Sequence, residues 1–284
     1  MNQKVSVIMP TRDRITYVER AVDSVLAQTY ENWELLILDD SIREKARVTE
    51  MGKADSRIIL VQRPGNTTPA WARLHGVQSS SGYYLTFLDS DDYWSRDRLE
   101  KHVLVWENHL LGLSWDSWIE IEDGLEKYVF QPIPANSVIA PPVVARKLFR
   151  ANFIHASAGF TAKRFIEVSG FPSWTPLSDW ALYLRLAEQF PAYRIGETLT
   201  WRDLDSPERV GAKAAELTNY PELIRYVRAV RADAIRRRPD LYCKDGIVRP
   251  LLEVLAGVKN RDSAYCSGRL ASLAEIFLPK TRSA

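Results

Sequence analysis

The run Tyr83-Tyr-Leu-Thr-Phe-Leu-Asp-Ser-Asp-Asp-Tyr93 decides the fold. A short apolar, β-prone stretch follows Gly82 and stops at Asp89, Asp91 and Asp92, which reads as a buried strand ending in a turn. In open α/β sheets, ligands bind outside the carboxyl ends of the strands, so this cluster of acids stands where a cation would be held. Two carboxylates one residue apart offer hard oxygen ligands suited to Mg2+ or Mn2+. Magnesium commonly takes only one or two protein carboxylates and completes its shell with phosphate oxygens and water. Asp and Ser also close turns by bonding their own backbone, and these residues alone fit both readings.

Outward from this strand the pattern repeats. Val5 to Met9 reads as a strand ending at Pro10-Thr-Arg-Asp13, and Thr16 with Glu19 has capping-box spacing ahead of a helix whose apolar face is Val18, Ala21, Val22, Val25 and Leu26. A second strand, Trp33 to Leu38, ends in Asp39-Asp40, and a third spans Ile58 to Val61 after a polar helix. A helix over Ala70 to Val77 leads back to the opening strand. Strands alternating with helices specify a mostly parallel sheet with right-handed crossovers, whose strand-end loops converge on one crevice. No Gly-x-Gly-x-x-Gly and no Walker loop follows any of these strands, so dinucleotide and P-loop phosphate cradles are lacking.

Farther along, a helix through Leu99, Val103, Trp106 and Leu110 precedes a strand from Leu113 to Ile121, with a hairpin turn at Asp123-Gly124. Phe153 to Thr161 reads as a further strand, Lys163 to Val168 as a short helix closed by Gly170, and Ser178 as the start of a helix with Trp180, Tyr183, Leu184 and Ala187 on one face. From about Lys213 the chain reads as helical, with Arg225, Arg228 and Arg231 at helical spacing and Arg236-Arg-Arg238 beyond. Such a basic face is solvated, paired within the molecule, or used for peripheral membrane contact or a homodimer.

Composition bounds the class. The chain has 284 residues, 46% of them apolar, and a net charge of +2 from 38 basic and 36 acidic residues, which gives no global footprint for nucleic acid. Cys243 and Cys266 are too few for a disulfide framework, the N-terminal apolar run is too short for a signal peptide, and no run is long enough to cross a bilayer. The expectation is a cytoplasmic protein, with any membrane contact peripheral at the inner face.

These residues resemble the family-2 inverting glycosyltransferases. The resemblance is carried by Val5-Ser-Val-Ile-Met-Pro-Thr-Arg-Asp13, Leu38-Asp-Asp40, Ala72-Arg73 with Gly76, Gly82 through Asp92, and Gly170-Phe171 followed by Ser178-Asp-Trp180, and it runs to about residue 200. It implies a GT-A fold, α/β with a Rossmann-like, mostly parallel sheet: a catalytic domain over 1–210, split into a nucleotide-sugar half (1–95) and an acceptor half (96–210), then a helical extension over 211–284. The family transfers a sugar from a nucleoside diphosphate donor.

By the same resemblance, Asp91 is the metal carboxylate and last acid of the family's DXD motif, with Asp89 assisting the metal or facing the ribose. Asp40 is the acid that bonds the base, favouring UDP or dTDP donors. Pro10, Thr11 and Arg12 contact base and ribose, and Arg73 the base, Asp40 or a phosphate. Asp179 is the general base that deprotonates a glycan or small-molecule acceptor, although it also stands where a helix N-terminus favours an acid. Trp174 and Trp180 are candidates to stack on an acceptor sugar, and core packing fits Trp180 comparably well. Departures are Ser178 where the family has Glu, Ala181 where it often has an acid, Leu74 where it has Asn, and no histidine after Asp179; either Asp203 or Asp205 would then substitute as metal ligand, or Asp91 would hold the metal almost alone. A sugar nucleotidyltransferase and a nucleotide-sugar binder without turnover are the alternatives.

Overall fold

The computed structural model describes residues 2–62, 68–171, 177–206 and 220–242. The order of elements is β1 (Val5–Thr11), α1 (Ile15–Leu26), β2 (Trp33–Asp39), α2 (Lys45–Met51), β3 (Ile58–Gln62), α3 (Pro69–Ser79), β4 (Tyr84–Phe87), β5 (Asp92–Trp94), α4 (Arg98–Asn108) and β6 (Leu113–Glu122). It continues with β7 (Leu125–Tyr128), β8 (Val138–Ile139), α5 (Pro141–Arg150), β9 (Gly159–Thr161), α6 (Ala162–Glu167), α7 (Ser178–Gln189), β10 (Ala192–Asp203), α8 (Tyr220–Arg237) and α9 (Pro239–Tyr242).

Among the described residues the strands form one sheet in the order β3-β2-β1-β4-β9-β6-β10-β5, with β7 on β6 and β8 on β10. Strands β1 to β4 are parallel, as the alternating pattern requires, while β9 runs antiparallel between β4 and β6 and joins the two halves. Because helices cover both faces, strand residues are buried on both sides. Val5, Val7 and Met9 pack toward α1 and α4 in one core, and Ile8 points into the other with Ala72, Trp115 and α7.

Two expectations fail for local reasons. Thr16 and Glu19 form no capping box: α1 starts at Ile15 behind Arg14 at φ 64°, and its first N–H is met from another loop, Ile15 N donating to Glu44 Oε2 at 2.6 Å. The strand read over Phe153 to Thr161 is confined to Gly159–Thr161. Upstream, Asn152 Oδ1 accepts from Ile154 N and His155 Nδ1 from Ser157 N, so side chains take backbone donors that a ladder would use. The Asp123-Gly124 hairpin forms as read, with φ of 53° and 70° in the turn.

Part of the basic C-terminal face turns inward. Arg231 donates to the carbonyls of Phe149 and Arg150 at the end of α5, Arg237 pairs with Glu188 of α7, and Arg238 pairs with Asp240. Helix C-termini favour cations, so Arg231 fastens α8 to α5, and Arg237 fastens it to α7. Arg228 is exposed, and the side chain of Arg225 lies outside the described residues.

Candidate active site

Three parallel strands end at one edge. Thr11 lies opposite Asp39 in the β1–β2 register, and Ile8 opposite Phe87 between β1 and β4. The loops beyond them are then tied together: Asp40 N donates to Thr11 O at 2.9 Å and Asp13 N to Ser41 Oγ at 2.8 Å. Asp13 Oδ1 accepts the N–H groups of Ile42, Arg43 and Glu44. Burial would raise the Asp13 pKa, but those backbone donors outweigh it and hold the carboxyl below its usual range.

After β4, Asp92 N donates to Asp89 O at 2.9 Å, so Asp and Ser do close a turn there. The same turn gathers the acids: one oxygen each of Asp89, Asp91 and Asp92 lie within 4.8 Å of one another. Like charges at such spacing require facing donors. Arg73 Nη2 meets Asp89 Oδ1 at 2.5 Å, Arg14 Nη1 meets Asp91 Oδ2 at 3.1 Å, and His155 Nε2 meets Asp92 Oδ2 at 3.0 Å. Because Ser157 N donates to His155 Nδ1 at 3.0 Å, the ring proton sits on Nε2 and points at Asp92. Arg20 Nη2 bridges Asp91 O at 3.2 Å and Asp203 Oδ2 at 2.7 Å.

Helix α7 begins after Leu177 at φ 64°, which supplies no side-chain cap. Asp179 stands half-buried in its first turn, where an acid also suits the helix dipole. Burial opposes the charge on Arg73, but Asp89 and then Asp179 outweigh it, and its pKa lies above the ordinary guanidinium value. One turn beyond Asp179, burial and then the Asp179 charge raise the Tyr183 hydroxyl, which donates to Ala156 O at 2.5 Å. Arg73 therefore sits in the field of an acid from each side, Asp89 on the sheet edge and Asp179 on the helix.

Pro10 is half-buried, Thr11 and Asp40 are buried and Arg12 is exposed, all at this edge. Arg73 bonds Asp89 and not Asp40. Trp180 corrects an expectation: it is only 4% exposed and its Nε1 donates to Leu148 O, so it is a core residue with no face for a sugar. Trp174 lies outside the described residues. Asp203 and Asp205 do not join the acid cluster, since Asp203 pairs with Arg20 and Asp205 accepts the hairpin N–H groups of Asp123 and Gly124. Arg14 and Arg20 went unread; Arg14 is the second arginine of Pro10-Thr-Arg-Asp-Arg14, and only the left-handed turn shows which arginine faces the acids.

The donor set is all oxygen, which fits a hard divalent cation such as Mg2+ or Mn2+. A sheet of this order, with acids at the parallel strand ends and an acid-bearing helix opposite, defines a GT-A fold. A family profile described as Glycosyl transferase family 2 matches residues 6–166, and the chain belongs to that family.

Curated relatives agree. The chain is 35% identical over 133 residues to the putative teichuronic acid biosynthesis glycosyltransferase TuaG of Bacillus subtilis, covering 45% of this chain and 53% of that protein. It is 25% identical over 239 residues to the Escherichia coli UDP-Glc:alpha-D-GlcNAc-diphosphoundecaprenol beta-1,3-glucosyltransferase WfaP, covering 84% and 90%. The chain spans about half or less of the length of several other relatives, among them a Haemophilus influenzae glycosyltransferase at 44%. Among solved structures, S. aureus TarS in complex with UDP-GlcNAc superposes with a TM-score of 0.67 at 16% identity, covering 82% of this chain and 66% of that one. A mannosyltransferase from Pyrobaculum calidifontis in complex with GDP-Man and Mn2+ gives 0.55 at 18% identity, covering 98% and 81%. At such identities these structures show the shared fold.

Proposed function

We propose that this chain is an inverting glycosyltransferase that moves a sugar from a UDP or dTDP sugar to an acceptor hydroxyl in polysaccharide or glycoconjugate synthesis. The observation that carries the reading is the gathering of Asp89, Asp91 and Asp92 at the strand edge, with Arg73 bonded to Asp89 at 2.5 Å and its pKa raised also by the charge of Asp179 on α7. That coupling supports donor acids and a candidate base around one space, as a single displacement needs.

In that reading Asp40, with Pro10, Thr11 and Arg12, receives the nucleoside; a carboxylate accepting a ring N–H suits uracil or thymine. Asp91 and Asp89 would hold Mg2+ or Mn2+, which when bound neutralises charge on the departing diphosphate. Asp179 takes the acceptor proton as the acceptor oxygen bonds the anomeric carbon from the face opposite the nucleotide. The bond from that carbon to the diphosphate oxygen breaks, and the nucleoside diphosphate leaves with the electron pair. Buried Arg73 stays charged throughout and offsets the acids it lies between. WfaP and WfgD are both named for a diphosphoundecaprenol acceptor, which supports a lipid-linked glycan as the acceptor class and a working place at the inner membrane face.

The test is incubation with a panel of nucleotide sugars and Mn2+, following release of free nucleoside diphosphate. Asp179→Asn is expected to keep donor affinity and lose turnover by about 10²- to 10⁴-fold, the range for a positioned general base. Retained turnover in that variant removes the assignment, and saturable binding without hydrolysis or transfer by the wild type favours a nucleotide-sugar binder instead.

A further inference from the structure

The β1–α1 turn carries backbone strain at the site itself. Asp13 and Arg14 both have positive φ, 53° and 64°, and neither is glycine. Non-glycine residues adopt this region at a cost and tend to be kept there where they work. Here the strain has a visible consequence. Asp13 is locked by the N–H groups of Ile42, Arg43 and Glu44, and the left-handed turn then sends Arg14 back over the sheet edge onto Asp91.

Among the described residues, two arginines meet Asp91 and are held differently. Arg20 approaches the backbone oxygen of Asp91 and is secured by a 2.7 Å ion pair with Asp203. Arg14 sits on Asp91 Oδ2, the group a divalent cation would take, and its second partner is a neutral hydroxyl, Ser206 Oγ at 3.2 Å. Its side chain is 16% exposed against 6% for Asp91, so it is the more exposed partner of the pair. A guanidinium and a divalent ion drawn to one carboxylate repel each other at a few Å. Moving Arg14 away requires another anion, and the incoming donor brings one in its diphosphate.

We propose that Arg14 is a resident counter-ion of Asp91 that passes to the donor diphosphate when metal and donor enter, coupling the binding of the two. The inference rests on the reading of Asp91 as metal ligand. It gives the ion an order of entry: weak alone, strong with a diphosphate present. Arg14 thus acts on metal binding through Asp91 and on the donor through its diphosphate.

Mn2+ binding to the full chain, read from loss of the free Mn2+ signal in electron paramagnetic resonance, tests this without turnover. Asparagine tolerates left-handed backbone, so Arg14→Asn removes the charge and keeps the turn. That variant is expected to bind Mn2+ alone roughly tenfold more tightly than wild type, the order set by removing one nearby like charge. Arg14→Lys, which keeps the charge, is expected to match wild type, and Ser206→Ala, which loosens Arg14, to shift toward the Asn variant by a smaller factor. Added UDP should tighten Mn2+ binding by a larger factor in wild type than in Arg14→Asn. Equal or weaker Mn2+ binding by Arg14→Asn and Ser206→Ala, or equal UDP coupling in wild type and Arg14→Asn, overturns the proposal. Asp91→Asn separates the two levels: Mn2+ binding equal to wild type there overturns the metal reading itself.

Discussion

Asp116 and Asp89 each face an arginine, Asp116 with Arg98 at 2.9 Å and Asp89 with Arg73 at 2.5 Å. The surroundings of the two pairs differ. Around Asp116, Arg98 Nε also donates to Thr200 Oγ1, Arg98 Nη2 to Ser157 O, and Thr200 Oγ1 to Asp116 Oδ2. His102 bridges Asp116 and Ser114, and Trp106 Nε1 donates to Ser114 Oγ. Both charged side chains are exposed by 3% or less. That network ties α4 to β6 and β10 and reaches no solvent. The Asp89 side chain is 28% exposed and lies in a crowd of carboxylates, so its charge is available to a ligand. The same residue types make a scaffold where they are closed in and a site where they open onto a crevice.

Substitution should separate the two. Asp116→Ala leaves Arg98 buried and uncompensated, which costs about 3–5 kcal/mol of folding stability, read by urea denaturation. Asp89→Asn removes one of three mutually repelling charges while Arg73 keeps the field of Asp179, so stability should change by only about 1 kcal/mol in either direction. Donor binding should be lost in the second variant and kept in the folded fraction of the first. A loss of stability from Asp89→Asn as large as that from Asp116→Ala would break the comparison.

Acid sharpens it further. Burial first, and then the Arg98 charge, lower His102 from 6.5 to about 4, against the pull of Asp116. A histidine whose folded pKa is depressed is neutral in the fold and protonated first when unfolded, so its contribution is complete above 6.5 and is lost as pH falls toward 4. The full difference is on the order of 3 kcal/mol. Melting temperature should therefore fall through that window in wild type, and His102→Gln should flatten the fall. An unchanged slope would show that other groups carry the acid sensitivity.

The acids of the site were legible in the sequence because a parallel sheet delivers strand ends to one edge, so Asp40 and Asp89 to Asp92 needed only the strand pattern. Asp179 was legible as a helix-opening acid, but the left-handed Leu177 ahead of it is signalled by no local pattern. Arg98 and Asp116 carry no local signal of their pairing, because its closure depends on Thr200, 84 residues beyond Asp116, coming alongside. Trp180 fitted a core or a sugar face equally well until α7 proved buried on most sides, with Leu148 O meeting its indole.

The smallest expected effect joins the two regions through a glycine. Helix α3 carries Arg73 in its interior, and its Gly76, one turn on, lies flat against β1: a Cβ there would overlap Ile8 Cγ2 and come within 3.1 Å of Leu38 Cδ2. Both neighbours are buried core atoms, so the helix must retreat to admit a methyl group. Gly76→Ala should gain the usual alanine preference in a helix and lose more to overpacking, a net cost of about 1–2 kcal/mol. If Arg73 reaches Asp89 only because α3 is seated this closely, donor affinity should fall along with stability, since the retreating helix carries the guanidinium away from its carboxylate. Measuring donor affinity and urea midpoint on the same Gly76→Ala preparation decides it, because a drop in stability with donor affinity unchanged would mean that Arg73 is placed by its field between Asp89 and Asp179 rather than by the packing of its helix.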